Sequence, residues 1–484
     1  MSTNYDVIIL GSGPAGFACA MQSSKLEKKV LVVEANPNYL GGTWINTGTV
    51  PSKALREAAR TIHEFQSQFG FQEEKKPYDR FKMKDLLQFK DEIIERENDR
   101  IQRYLDKNHV DVVHGFGRLE DSQTVEVTKQ NGETESFTGD NILISTGSSP
   151  TPPTDFTIDH DKILDNQSLL ELTHIPRRLV IAGAGVNAIE YATIFALMGT
   201  RVTILNNKSD YLTFLDHEIK EILEETIEEN QITVRNNVTL DDVDFNPLRV
   251  CTEARYHHID QPEETRVIEA EHVLYIGHRH PNSEDVGLRN ISLPTDKSGF
   301  IKVNDHYQSN IENIYAAGDV IGFPSLASAS FSQGRRAACH MFGVPTPDEP
   351  ANFPHGIHSI PEISHIGLTE EEAKEQDIDY TIGRAYFKNT TQADLSIHRK
   401  GMLKLVFDTQ SLKLLGVHII GAQACDLIHV GQSVMAYDGD IRYFIRHVLN
   451  YPSYSEAFRT AAFNGINRVY KAGVKYKNIL NDED

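Results

Sequence analysis

The chain has 484 residues, 39% hydrophobic and 24% charged, the balance of a folded protein of about three domains rather than a disordered tail. Its net charge of −21 excludes a general affinity for nucleic-acid backbones, and no run of about 18 apolar residues marks a membrane span. The four cysteines (Cys19, Cys251, Cys339, Cys425) lie far apart, and the twenty histidines form no H-x-x-x-H frame, so neither a disulfide framework nor a metal is expected. The N-terminus lacks a basic n-region and runs straight into a strand pattern, so no secretory signal and a cytoplasmic location are expected.

The first predicted unit is a strand, a glycine turn, a helix and a second strand. Asp-Val-Ile-Ile-Leu10 leads into Gly11-Ser-Gly13-Pro14-Ala15-Gly16, and the unit closes on Val-Leu-Val-Val-Glu34. Gly11 permits the tight turn, Gly13 lets backbone approach a pyrophosphate, and Gly16 allows close helix–strand packing. The pyrophosphate then meets free N–H groups at the helix N-terminus. Glu34, at the end of the second strand, accepts hydrogen bonds from a ribose and repels a 2′-phosphate, which suits FAD or NAD.

Next come Leu40-Gly-Gly-Thr-Trp-Ile-Asn-Thr-Gly-Thr-Val-Pro-Ser-Lys-Ala-Leu55, an amphipathic helix near 83–108, and a strand meander near 110–145. Thr151-Pro-Pro153 reads as a crossover linker. The strand–glycine–helix–strand unit then recurs over 179–206, with Gly183, Gly185 and Ala188 in the places of Gly11, Gly13 and Gly16, and Asn206 in the place of Glu34. One such fingerprint is a weak signal, but two with identical spacing predict two dinucleotide sites. Asn206 carries no charge to reject a 2′-phosphate and Lys208 is positioned to pair with one, so the second site is expected to take both NAD(H) and NADP(H). A proline-rich stretch, Val344 to Pro350, marks a second linker before a C-terminal α/β segment.

The segment 40–55 resembles the active-site segment of the flavoprotein disulfide reductases, whose pattern is GGTCxNxGCxPSK. Gly41, Gly42, Thr43, Asn46, Gly48, Pro51, Ser52 and Lys53 stand in that frame, but Trp44 and Thr49 occupy both cysteine positions. Further matches run along nearly the whole chain. Ser145-Thr146-Gly147-Ser148 resembles the end of the first FAD half, and Tyr315-Ala-Ala-Gly318-Asp319 resembles the second FAD fingerprint, followed by Leu326 and Ala327. Glu190 matches the glutamate that pairs with the lysine of the Pro-Ser-Lys motif. The His-Pro-x-x-Ser-Glu segment has Tyr451 in the histidine position and Glu456 five residues on. Thr49, Asn206-Asn-Lys208, Gly318 to Ala329, His429-Val-Gly-Gln432 and Asn450 to Ala457 resemble the family's soluble pyridine nucleotide transhydrogenases.

The resemblance implies an α/β architecture with two Rossmann-like dinucleotide-binding domains and a C-terminal α/β dimerisation domain. The FAD domain would span 1–150 and 285–346, the NAD(P) domain 151–284 and the dimerisation domain 351–484, in a homodimer or larger homo-oligomer. It implies a flavoenzyme passing hydride between NADPH and NAD+, with Lys53 and Glu190 in catalytic roles. Gly11, Gly13, Pro14, Ala15, Gly16, Glu34, Gly42, Thr43, Lys53, Thr146, Gly147, Gly318, Asp319, Leu326 and Ala327 would hold FAD; Gly183, Gly185, Asn206 and Lys208 would hold the nicotinamide nucleotides. Disulfide reduction needs two thiols and a base, and Trp44, Thr49 and Tyr451 supply none. Two other readings remain at this level: an NAD(P)H oxidase or quinone reductase on the same scaffold, and a non-catalytic FAD-bound protein. Each residue also has a plainer role to weigh: Asp319 as a helix cap, Glu190 on a solvated helix face, Trp44 in core packing, and Tyr451 and Glu456 at an interface.

Overall fold

Val7 to Leu10 and Val30 to Val33 are runs of consecutive apolar residues, the pattern of strands covered on both faces. In the computed structural model, which describes residues 4–68, 82–347, 352–396 and 398–471, these strands pair in parallel at the centre of a seven-stranded sheet. The order across that sheet is Asp111–His114, Val30–Glu34, Asn4–Leu10, Thr134–Ile144, Thr124–Thr128, Phe116–Leu119, with Ile314–Ala316 also paired to Thr134–Ile144. Alternation divides the central strand between two cores. Val7 and Ile9 pack with Cys19, Ala20 and Ala337 on the helical side; Ile8 and Leu10 pack with Leu119, Val125 and Val127 on the other. The predicted meander is real from Phe116 to Ile144, whereas Asp111–His114 instead joins the parallel part, because Val112 and Val113 align beside Val32 and Val33. The helix expected near 83–108 spans Met83–Lys107.

The chain forms two units. The first comprises Met1–Leu55, Met83–Thr173 and Gly277–Asp348; the second comprises Arg56–Lys82, His174–Ile276 and Glu349–Asp484. Three features of this division have a local reason. Residues 151–173 and 277–284 belong with the first unit, since Ser148–Pro150 pairs antiparallel with Arg279–Pro281 and Thr151 N–H donates to His278 O at 2.7 Å. The helix Thr49–Gln68 passes from the first unit into the second at Arg56, whose guanidinium donates to Ser359 O and Glu362. Residues 174–276 and 349–484 fall in the same compact unit, joined by buried polar contacts such as Lys404 to Asp216.

The second unit contains three sheets. A parallel sheet, Thr233–Arg235, Arg201–Leu205, Arg178–Ala182, His272–Tyr275, carries the repeated glycine turn. A three-stranded antiparallel sheet (Val238–Asn246, Cys251–His258, Gln261–Ala270) is inserted in sequence between Thr233–Arg235 and His272–Tyr275. An antiparallel sheet of five strands, in the order His355–Ile357, Ile363–Gly367, Leu414–Ile420, Met402–Asp408, Tyr380–Tyr386, is covered by the helices Ala424–Ala436 and Glu456–Lys471 around Phe387, Leu405, Phe407, Phe444 and Phe458. Among the described residues no helix is long and apolar enough to cross a membrane.

Candidate dinucleotide cleft

The first glycine turn does what its residues allow. Gly11 has φ +97°, and a Cβ there would lie 2.5 Å from Ser145 O; a Cβ on Gly16 would lie 1.9 Å from Gly11 O. Gly13 is different, since nothing lies within 4 Å of where its Cβ would be. The helix Pro14–Lys25 begins there with Pro14 in its first turn and no side-chain cap, leaving its first N–H groups directed at open space. That space is a cleft of about 510 Å³ within the first unit.

Of the residues expected to hold a dinucleotide here, Gly11, Gly13, Pro14, Ala15, Glu34, Gly42, Thr43, Thr146, Gly147, Gly318, Asp319 and Ala327 line the cleft. Gly16 lies behind the turn, packed on Gly11 and Ser145. Leu326 is the residue that precedes the helix Ala327–Met341. Lys53 is not on the wall; it sits in the first turns of Thr49–Gln68 with Nζ 3.4 Å from Ser52 Oγ.

Glu34 is buried and already engaged. Its carboxylate accepts from Ser12 N–H (3.0 Å), Ser12 Oγ (2.5 Å) and Asn36 N–H (3.1 Å). Ser12 Oγ in turn accepts from Gly41 N–H at 2.9 Å, so one serine ties the glycine turn, the acidic strand end and the Gly41-Gly42 bend together. Asp319 is no cap: it starts a short 3-10 turn, and the long helix begins at Ala327. Its Oδ2 accepts from Ser148 Oγ at 2.8 Å, and Ser148 Oγ accepts from Arg279 Nε at 2.8 Å. Ser12, Ser148, Arg279 and Asn282 are not among the residues that the sequence assigns to the site. Asn282 clamps the wall, donating to Thr146 O (2.9 Å) and accepting from Ser149 Oγ (2.8 Å).

Trp44 combines its two readings. Its ring meets Phe331 edge-on at 5.2 Å and packs against the helical-side core, yet it also lines the cleft. Its Nε1 is buried with no hydrogen-bond partner among the described residues. A buried donor without a partner, on a side chain that lines the cleft, fits a bound acceptor group there.

In the second unit Gly183 has φ +115° with its Cβ position 2.5 Å from Ile276 O, Gly185 again faces open space, and Ala188 is fully buried. The helix Val186–Leu197 starts at Gly185 without a side-chain cap. Asn206 is buried, and its amide is consumed locally: Nδ2 donates to Asp210 O (3.1 Å) and Asn236 Oδ1 (2.8 Å), and Oδ1 accepts from Lys208 N–H (3.2 Å). Lys208 is exposed. Glu190 is buried rather than on a solvated face, and accepts from His358 N–H at 2.8 Å. Tyr451 is 67% exposed, with its hydroxyl 2.6 Å from Thr391 Oγ1, and Glu456 begins the last described helix with Oε2 buried.

This geometry agrees with the comparisons to known proteins. Residues 5–334 match the pyridine nucleotide-disulphide oxidoreductase family, and residues 353–462 match that family's dimerisation domain. The chain belongs to the pyridine nucleotide-disulphide oxidoreductase family. Within the family it is 39% identical over 470 residues to the soluble pyridine nucleotide transhydrogenase of Marinomonas sp. strain MWYL1, covering 96% of this chain and 99% of that one. The transhydrogenase of Azotobacter vinelandii is 37% identical over 474 residues, covering the same shares. Two solved structures share the fold at 22% identity, covering 95% of this chain and 99% of each: the HOCl-induced flavoprotein disulfide reductase RclA from Escherichia coli, TM-score 0.85, and LpdA from Mycobacterium tuberculosis, TM-score 0.87. The architecture anticipated from the sequence, α/β with a redox portion and a dimerisation domain, is the architecture of this oxidoreductase family.

Proposed function

We propose that the protein is a soluble pyridine nucleotide transhydrogenase, passing hydride between NADPH and NAD+ through FAD held in the first-unit cleft. The observation that carries this is the cleft itself: the full glycine frame is present, and Trp44 and Thr49 stand on its wall where the disulfide reductases carry cysteines. Full-length similarity to proteins named for this activity supports it. FAD, when bound, accepts a hydride from one nicotinamide nucleotide and returns it to another.

The residues divide the work as follows. Gly13 and the N-terminus of Pro14–Lys25 receive the pyrophosphate. Glu34, pre-set by Ser12, offers its remaining acceptor capacity to a ribose. Asp319, fixed by Ser148 and Arg279, orders the ribityl side. Lys53 places a positive charge where electron density rises during reduction, an electrostatic role rather than proton transfer. Gly183 and Gly185 form the nucleotide turn of the second unit. The engaged amide of Asn206 leaves reading of the 2′ position to Lys208. The missing thiols leave no route to disulfide substrates. The C-terminal segment makes a homodimer, in the cytoplasm.

The test is NADPH-driven reduction of thio-NAD+, followed by the absorbance of the reduced analogue, with ping-pong kinetics expected. Turnover with oxygen or quinones but none with the analogue would overturn the assignment in favour of an oxidase. Absence of flavin reduction by either nucleotide would make the protein non-catalytic.

A further inference from the structure

The second unit contains a cleft of about 720 Å³ that the reaction does not use. One wall is the parallel sheet. Arg178 and Arg201 begin neighbouring strands and are aligned in register, so their Cα atoms are about 4.8 Å apart. Period-two alternation puts Arg201 and Thr203 on the same face of one strand and Thr233 and Arg235 on the same face of the next. The other wall comes from the antiparallel sheet and includes Arg249, Glu253 and Glu269.

The charges do not balance. Four arginines face two glutamates, in a chain whose net charge is −21. Both glutamates are already engaged: Glu269 by Arg249, and Glu253 by Arg255 (3.2 Å) and Asn246 (2.7 Å). Among the described residues the Arg235 side chain bonds only to the neutral Tyr256 hydroxyl, and it lies over that ring. Among the described residues neither Arg178 nor Arg201 makes a side-chain hydrogen bond or ion pair. Like charges directly opposite on paired strands are destabilising. An anion between them reverses the sign of that term, and a planar guanidinium fork fits phosphate oxygens two at a time.

We propose that this cleft binds a small phosphate-bearing anion, with Arg178 and Arg201 as its receptor pair and Arg235 at its edge. It is separate from the dinucleotide turn, because Arg178 begins the strand whose far end leads into Gly183. Occupancy would stabilise the second unit and couple its stability to the concentration of the anion.

Inorganic pyrophosphate is the probe, titrated calorimetrically into the full-length protein at saturating NAD+ and NADP+ so that the nucleotide turn is filled. One binding event is expected, weakening as salt rises. The double variant Arg178→Gln/Arg201→Gln should bind at least tenfold more weakly, keep its NADPH-to-thio-NAD+ turnover, and melt no lower than the parent without pyrophosphate, since a like-charge contact has been removed. Equal binding by parent and variant, no binding by the parent, or abolition of binding by the nucleotides would each overturn the proposal.

Discussion

Neighbouring glycines in one turn have opposite tolerances. Gly16→Ala forces a Cβ to within 1.9 Å of Gly11 O, backbone that cannot yield cheaply, so the variant should lose several kcal/mol of stability, on the order of 3, measured by urea denaturation. Gly13→Ala meets nothing within 4 Å and keeps a negative φ of −59°. It should unfold at nearly the parent urea midpoint yet lose flavin on gel filtration, because its methyl group occupies the space for the pyrophosphate. Trp44 offers an independent readout, being the only tryptophan in the chain. Its place on the cleft wall predicts emission quenched by bound flavin and raised several-fold when flavin is removed without unfolding. Bright emission from the yellow protein would separate Trp44 from the flavin. The variant Lys53→Met should retain flavin but be reduced more slowly by NADPH in stopped flow; an unchanged rate would remove the electrostatic role assigned to Lys53.

At the scale of elements, the five-stranded sheet carries a transverse row of basic side chains. His355, His365, His418, Lys404 and Arg384 occupy successive in-register positions across all five strands. At one end Lys404, fully buried, reaches Asp216, Glu218 and Glu370 at 2.6–2.8 Å, and Arg384 reaches Glu218 at 2.6 Å. These carboxylates offset the lysine's burial cost and hold its ammonium above the ordinary lysine range, while Asp216 and Glu218 are held below the ordinary carboxylate range. Lys404→Met should therefore cost about 3–5 kcal/mol, since it strands buried negative charge. At the other end, burial and then the neighbouring His418 and His355 push His365 down to about 3. Its unfolded value is near 6.5, so below that pH the unfolded chain binds a proton that the folded chain refuses. Stability is full above pH 6.5 and falls as pH drops from there toward 3; the depressed carboxylates add their own loss only at the acid end of that window. A melting temperature that falls between pH 7 and pH 5, with a shallower fall in His365→Phe, is the expected outcome. Equal slopes in the two proteins would take His365 out of the acid response.

For the whole molecule the clearest consequence is an absence of chemistry. Trp44→Cys alone should restore no lipoamide or glutathione reduction, because Thr49 and Tyr451 still lack the second thiol and the base. Much was legible in the sequence for a simple reason. Glycines 11, 16 and 183 are required by backbone geometry, Gly13 and Gly185 face open space that we propose a ligand fills, and spacing along the chain sets both. The apolar runs of Val7–Leu10 and Val30–Val33 fixed a doubly covered parallel sheet in the same way. Tertiary structure alone decided what depends on partners distant in sequence: that Glu34 is pre-set by Ser12, that Asp319 is held by Ser148 and Arg279 rather than capping a helix, that Asn206 is spent on Asp210 and Asn236, and that Arg178 and Arg201 stand side by side with no carboxylate partner among the described residues. Local backbone requirements are written in consecutive residues, whereas the charge and hydrogen-bond state of a side chain is set by whichever strands the fold brings beside it.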